Sequence, residues 1–391
     1  MLRREQGQAG QRVTFMELFF DLVYVLAVTQ LSHLLLDNLS VRGTAQTALL
    51  LVAVWVAWIY NAWFTNWFDP DRRVVRLVLL GVMLASLLMS ATLPEAFGER
   101  GLVFAAAYVT MQVGRTVFVI AALAEEPGLR RNFQRILSWL VASGLLWLAG
   151  GLAHGRAREA LWLAAVVVDL TAPACGFFTP GLGRSRTTDW TITGGHMAER
   201  CQLFIIIALG ESLLVTGTTF GELPLSAATV AAFVVAFAGA VALWWVYFDR
   251  SAEAASGVIA GSADPGRLGR SAYTYCHLPM VAGIIVTAAG DERVIAHPGG
   301  HASVATTTTV LLGPALFLAG HALFKRLVFG RLSVPRLLAI VALAGLWPVG
   351  SAVSPLLLAF VATLVVAAVA VSDTRMASAP TPSPAGDTPL G

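Results

Sequence analysis

Charge is what this sequence has least of. Only 13% of its 391 residues are Asp, Glu, Lys or Arg, about half the share of an ordinary soluble domain. Lysine is almost missing, with Lys325 alone beside many arginines. Cysteine is scarce too: Cys175, Cys201 and Cys276 sit in or beside apolar runs without metal-ligand spacing, which excludes a disulfide framework and a zinc site. There is no Walker A loop, no Gly-x-Ser-x-Gly elbow, no Asp-rich metal box and no His cluster. His297 and His301 share a loop, but Pro298-Gly299-Gly300 between them removes the i,i+4 helical geometry of a metal pair. His33, His277 and His321 are scattered and read as packing residues.

What is present is apolar sequence: 57% hydrophobic residues and a mean hydropathy of +0.73. This predicts an integral membrane protein whose main partner is the lipid bilayer. Apolar runs near 15–36, 44–67, 74–93, 101–124, 133–153, 158–178, 197–219, 225–248, 273–290, 303–324, 334–350 and 353–372 approach the roughly 20 residues that cross a bilayer. The expected fold is an all-α polytopic bundle of about twelve transmembrane helices, ten at the least. The last two runs, separated only by Pro348 and Gly350, read either as two helices or as one re-entrant hairpin. The first run carries Glu17 and Asp21 and has no small-residue cleavage site, so it is expected to stay in the mature chain.

With twelve spans and a cytoplasmic N-terminus, nineteen of the 26 basic side chains fall in inside segments and five in outside ones; Arg115 and Arg200 lie in or at the edge of spans. That asymmetry satisfies the positive-inside rule. It places both termini in the cytoplasm and the protein in the inner (plasma) membrane. The net charge of +3 is then a matter of topology, and no nucleic-acid partner is expected. Residues 1–12 form a cytoplasmic segment, 13–372 the membrane domain, and the Pro/Ser/Thr-rich 373–391 a disordered tail. Tryptophans such as Trp55, Trp58, Trp63 and Trp67 read as interfacial anchors, and Asn61, Asn66, Asp69 and Asp71 as a solvated helix end.

Within these spans a few polar residues need a reason. A charge at a span's centre costs roughly 2.5–3.5 kcal/mol on insertion scales, so such groups usually face the bundle interior. In TFMELFFDLVYVLAVTQ, Glu17 and Asp21 are one turn apart on one face. Glu17 is equally readable as an interfacial residue balancing Arg12 and the helix dipole, whereas Asp21 lies deeper. In HMAERCQLFIIIALGESLLVTGTTF, His196, Arg200, Glu211 and Thr218 share a sector of roughly 60°, and Arg200 and Glu211 are some 16 Å apart along the axis. His196, Glu199 and Arg200 also suit an interfacial cap. Asp169 is a further deep acid. Arg115 is a deep base that calls for one of Asp169, Glu211 or Asp21 as its partner.

The two quoted helices, together with WFDPDRRVVRL, resemble the bacterial low-temperature-requirement A (LtrA) family. Its first helix is similar to ELFFDLVFVFAI, matched here by Glu17, Phe19, Phe20 and Asp21. Its mid-chain helix is similar to H-x-AER-x-x-x-F-x-IIxLGES, matched by His196, Glu199, Arg200, Gly210, Glu211 and Ser212, with Cys201 and Gln202 departing only beside the charged positions. The resemblance implies a bacterial polytopic membrane protein with no defined activity.

The motifs open the first and seventh runs, as a six-plus-six repeat with halves 13–178 and 196–372 would place them. The leading expectation is a transporter or channel that moves an ion or small solute along an acid-lined path. Asp21, Glu211, Asp169 and Glu17 would bind, and Arg115, Arg200, His196 and Glu199 would supply counter-charge or gating. The alternatives are a membrane enzyme using these acids and His196 as acid and base or as metal ligands, and a scaffold held by structural ion pairs. No cofactor is assigned and no metal site is expected; a homo-oligomer is compatible with the sequence.

Overall fold

The computed structural model describes residues 1–3, 12–190 and 192–378. Every one of the twelve apolar runs is a helix: α1 (Phe15–Asp37), α2 (Val41–Trp67), α3 (Arg73–Thr92), α4 (Gly101–Ala122), α5 (Pro127–Leu152), α6 (Gly155–Ala174), α7 (Gly194–Gly221), α8 (Ala227–Phe248), α11 (His277–Ala296), α12 (Val304–Phe329), α13 (Val334–Gly350) and α14 (Pro355–Ser378). Between α8 and α11 the chain adds α9 (Ser251–Ala260), α10 (Pro265–Leu268) and a π-helical turn, Gly269–Tyr275, that runs into α11. Ten helical stretches among the described residues are long and apolar enough to cross a membrane. The remaining two are α6, whose first turns carry Arg156, Arg158 and Glu159, and the 17-residue α13.

Of the two readings open for the last two runs, separate helices is the one observed, with 17 and 24 residues. The final helix passes 372, where a disordered tail was expected to begin, and continues to Ser378; Asp373 within it is bound in an ion pair with Arg336. Residues 379–391, also read as disordered, lie outside the described residues.

Helix neighbours follow one order twice. α1 packs on α3, α3 on α4, α4 on α5 and α5 on α6, with α2 against α1 and α6. α7 packs on α11, α11 on α12, α12 on α13 and α13 on α14, with α8 against α7 and α14. The closest approach is α11 on α12. Gly283 and Gly290 on one helix and Gly313 and Gly320 on the other stand so near the facing backbone that a Cβ on any of them would press on it. Small residues at heptad spacing let helices touch where apolar burial against lipid supplies no drive.

Three arginines counted above as loop charges are buried ties. Arg158 donates to the carbonyls of Ala96, Gly98, Gly150, Gly151 and Ala153, neutralising the carbonyl-rich end of α5. Arg135 holds the 176–190 connection through Leu182 O and the Ser185 hydroxyl. Arg336 closes the α12–α13–α14 corner. They lie near span ends, but the guanidinium groups point inward and satisfy carbonyls and carboxylates that helix ends leave over.

Candidate functional site

The two motif helices meet along their length. Thr14 caps α1: its hydroxyl accepts from Glu17 N, and the Glu17 carboxylate accepts from Thr14 N at 2.9 Å, a reciprocal capping box written in the sequence as Thr-x-x-Glu. The other bonds of Glu17 leave its helix. Arg3 Nη2 donates to Oε2 at 3.0 Å, and His196 Nε2 lies 2.8 Å from Oε1. One turn on, Asp21 Oδ1 accepts from Arg200 Nη2 at 2.7 Å and from Trp58 Nε1 at 2.8 Å. Two successive contacts, 17 to 196 and 21 to 200, require α1 and α7 to run parallel and in register. All four side chains are buried.

α2 supports this cluster. Asn66 Nδ2 donates to Thr193 O and faces His196 Nδ1 at 3.2 Å, while Asn66 Oδ1 accepts from Thr193 N. With Nδ1 accepting from Asn66, the imidazole presents Nε2–H to Glu17. The Arg200 guanidinium also lies over the Trp58 ring, 5.7 Å from its centroid. Glu199, the outer member of the motif, accepts from Val13 N at 3.1 Å and fixes the entry to α1.

Several expectations change here. Arg3, not Arg12, balances Glu17, and Glu17 is enclosed rather than interfacial. The deep end of α2 is core, not an anchor belt: Trp55 and Trp58 are buried, and Asn61 and Asn66 are buried rather than solvated. Two carboxylates face two guanidinium groups, so this end of the seam is charge-matched and not an open acidic lining. Periodicity places Asp21 and Arg200 on inward faces. It carries no information that those faces are turned to each other, or that Trp58 and Asn66 close the ring.

Beyond the cluster, Phe20, Tyr24, Trp55, Trp58 and Phe204 fill the seam, with Phe204 4.4 Å from Trp58 and 5.4 Å from Trp55 between ring centroids. Past that plug, Glu211 faces Thr29 and His33 of α1. The seam is therefore polar at both ends and aromatic between them. Glu211 and Asp21 are about 16 Å apart along the helices and do not form one site.

The other two deep charges lie elsewhere. Asp169 Oδ2 accepts from Tyr108 OH at 2.8 Å and Trp147 Nε1 at 3.1 Å, neutral donors in place of an arginine. Arg115 meets none of the three acids proposed for it: among the described residues it forms no ion pair, and its Nη2 donates to Gln112 Oε1 at 2.6 Å. Asp291, near the end of α11, is a buried acid that the sequence reading passed over; it ends an apolar run, and its proximity to Glu292 and Arg293 makes it look like a loop residue. No group of three or more His, Cys, Asp or Glu side chains among the described residues is placed to hold a metal.

Trp58 gives a direct test of the cluster. Trp58→Phe keeps the ring stack and removes one donor from a buried carboxylate, so a loss of about 1–3 kcal/mol is expected in detergent unfolding. An unchanged midpoint would mean that the Trp58–Asp21 bond contributes nothing.

A helical bundle with ten membrane-length helices among the described residues and a buried cluster of charges between two of them defines a polytopic integral membrane protein. The family described as bacterial low temperature requirement A protein (LtrA) matches residues 12–371, and the chain belongs to that family. An uncharacterized protein of Rhizobium meliloti (strain 1021), RA0937, is 38% identical over 325 residues, covering 83% of this chain and 79% of the relative. No solved structure matches significantly.

Proposed function

We propose that the protein is a transporter for a small solute, built of two six-helix halves that move against each other across the α1–α7 seam. Both termini lie on the cytoplasmic side of the plasma membrane in this reading. The observation that carries it is the buried cluster of Glu17, Asp21, His196 and Arg200, which joins the first helix of one half to the first helix of the other. Burying charges costs several kcal/mol per ion, and apolar packing of equal volume is often as stable or more so. Such a cluster suits an interface with two arrangements better than one that only has to hold.

The geometry gives the second arrangement a starting point. Arg200 bonds Asp21 through one nitrogen, while its Nη1 has no hydrogen-bond partner and stands 3.9 Å from Glu17 Oε1; Asp21 Oδ2 is also unpartnered. A small shift of α7 along α1 would pass the guanidinium from one carboxylate to the other. The repeated helix order supports treating the halves as two bodies, and repeat-built transporters rock in this way about a central site. In this reading the seam is a charge-neutral latch, and Glu211 with Thr29 and His33 lines its far end.

Uptake into proteoliposomes tests the proposal, with a labelled panel of short-chain carboxylates, inorganic anions and monovalent cations. At least one solute should accumulate above empty vesicles, and Asp21→Asn should slow it by tenfold or more. Folded protein that moves no member of the panel, or Asp21→Asn flux equal to the parent's, would sink it.

A further inference from the structure

A cavity of about 70 Å³ lies beside α2, on the side away from the α1–α7 cluster. Its walls come from α2, α4 and α5, from the 176–190 connection, and from the π-helical turn before α11. Aromatic rings make up much of the lining, with Tyr60, Trp63, Trp67 and Trp190 prominent. Two cations enter it, Arg115 and Arg270.

Arg115 is the unusual group. It is 3% exposed, and its guanidinium lies 5.6 Å from the Tyr60 ring centroid. Gln112 takes one nitrogen, yet Nη1 is buried without a hydrogen-bond partner and no carboxylate among the described residues pairs with it. Arg270 donates from Nη1 to Pro173 O and likewise forms no ion pair among the described residues. A buried guanidinium with an unsatisfied nitrogen and no paired acid is expensive in a membrane protein, and such a group normally faces a partner or a water-filled pathway.

The matching corner of the second half makes the contrast. There α8, α12, α13 and α14, which follow the packing order of α2, α4, α5 and α6, close around Arg336, and its carboxylate partner is Asp373 of the chain itself. Around Arg115 the corresponding helices leave a cavity, and the buried acid they carry, Asp169, is held by Tyr108 and Trp147 and forms no ion pair with Arg115.

We propose that this cavity binds a short-chain organic carboxylate, which brings the missing negative charge to Arg115 and Arg270 and lays its apolar end on the tryptophan faces. Guanidinium groups match carboxylates through parallel N–H bonds. The volume admits only a few heavy atoms, since an apolar cavity of about 150 Å³ is what accommodates benzene. The π-turn, a geometry enriched at functional sites, brings Arg270 and Thr274 to the cavity wall, with the Thr274 hydroxyl accepting from Trp63 Nε1. Gly266 lets the 176–190 connection close over it, because a Cβ there would strike Thr187 O. This inference names the solute class of the transport reading and rests on it only for movement. Binding stands by itself.

The test is binding of propionate to purified full-length protein in detergent, followed by quenching of tryptophan fluorescence and by thermal stabilisation, with chloride and phosphate at equal ionic strength as comparators. Propionate should give a saturable signal that chloride and phosphate do not. Arg115→Met should weaken it at least tenfold, and the half-buried Arg270→Gln several-fold. Arg270→Gln serves as the deciding variant if Arg115→Met does not fold. No saturable propionate signal, an equal response to chloride or phosphate, or undiminished binding in the folded variants would each overturn the proposal. Propionate binding without flux in the panel assay would leave the site standing and remove the transport reading.

Discussion

Arg200→Met is expected to destabilise the protein by about 3–5 kcal/mol, because it strands the buried Asp21 carboxylate with a single donor. In the intact protein Asp21 has two donors, Arg200 at 2.7 Å and Trp58 at 2.8 Å, and the same guanidinium stands 3.9 Å from Glu17. The loss should fall on the contact between α1 and α7. A second substitution distinguishes an ion pair from general packing. Asp21→Asn alone should cost less, since the amide still accepts from Trp58. The double variant Asp21→Asn/Arg200→Met should be more stable than Arg200→Met alone, because the stranded charge is gone. Equilibrium unfolding in mixed micelles measures all three. Additive losses would mean that the two side chains are not coupled.

Arg336→Met should cost a similar amount, about 3–5 kcal/mol, where α12, α13 and α14 meet. Arg336 grips Asp373 with both terminal nitrogens, Nη2 to Oδ2 at 2.5 Å and Nη1 to Oδ1 at 3.1 Å, and adds bonds to Ser333 Oγ and His321 Nδ1. Lys325 also approaches Asp373, but only to 3.7 Å and with its side chain partly exposed. Lys325→Met should therefore cost less than about 1 kcal/mol, as partly exposed pairs generally do. A difference between the two variants in unfolding midpoint, and earlier proteolysis of the α14 end in Arg336→Met alone, would establish that this one pair holds the last helix to the bundle. Equal small losses in both would show that α14 is held by apolar packing.

The helices were legible because each span must satisfy its own backbone in lipid, which leaves long apolar runs in the sequence. All twelve runs became helices on that ground. Inward polar faces were legible too, since a 100° periodicity depends only on the chain itself. Partnerships were not. Arg115 looked like one half of an ion pair and proved to line a cavity, and Asp169 looked available and is held by Tyr108 and Trp147. Arg336, Arg158 and Arg135 had the positions of loop charges and the bonds of core residues. A guanidinium on a long stem reaches groups that local sequence cannot rank.

The sequence by itself determined the solvent of this protein, its helices, its family and the short set of charges that had to be buried. The solvent, the helices and the buried charges follow from local periodicity and from the cost of a charge in hydrocarbon, and the family follows from the resemblance of the two motif helices. Tertiary structure alone decided that Glu17 and Asp21 meet His196 and Arg200 some 179 residues away, with Trp58 and Asn66 closing the ring. It also decided that Arg115 faces an aromatic cavity with no acid of its own. Which helices become neighbours depends on how all of their surfaces fit at once, and one chain's spacing does not encode that.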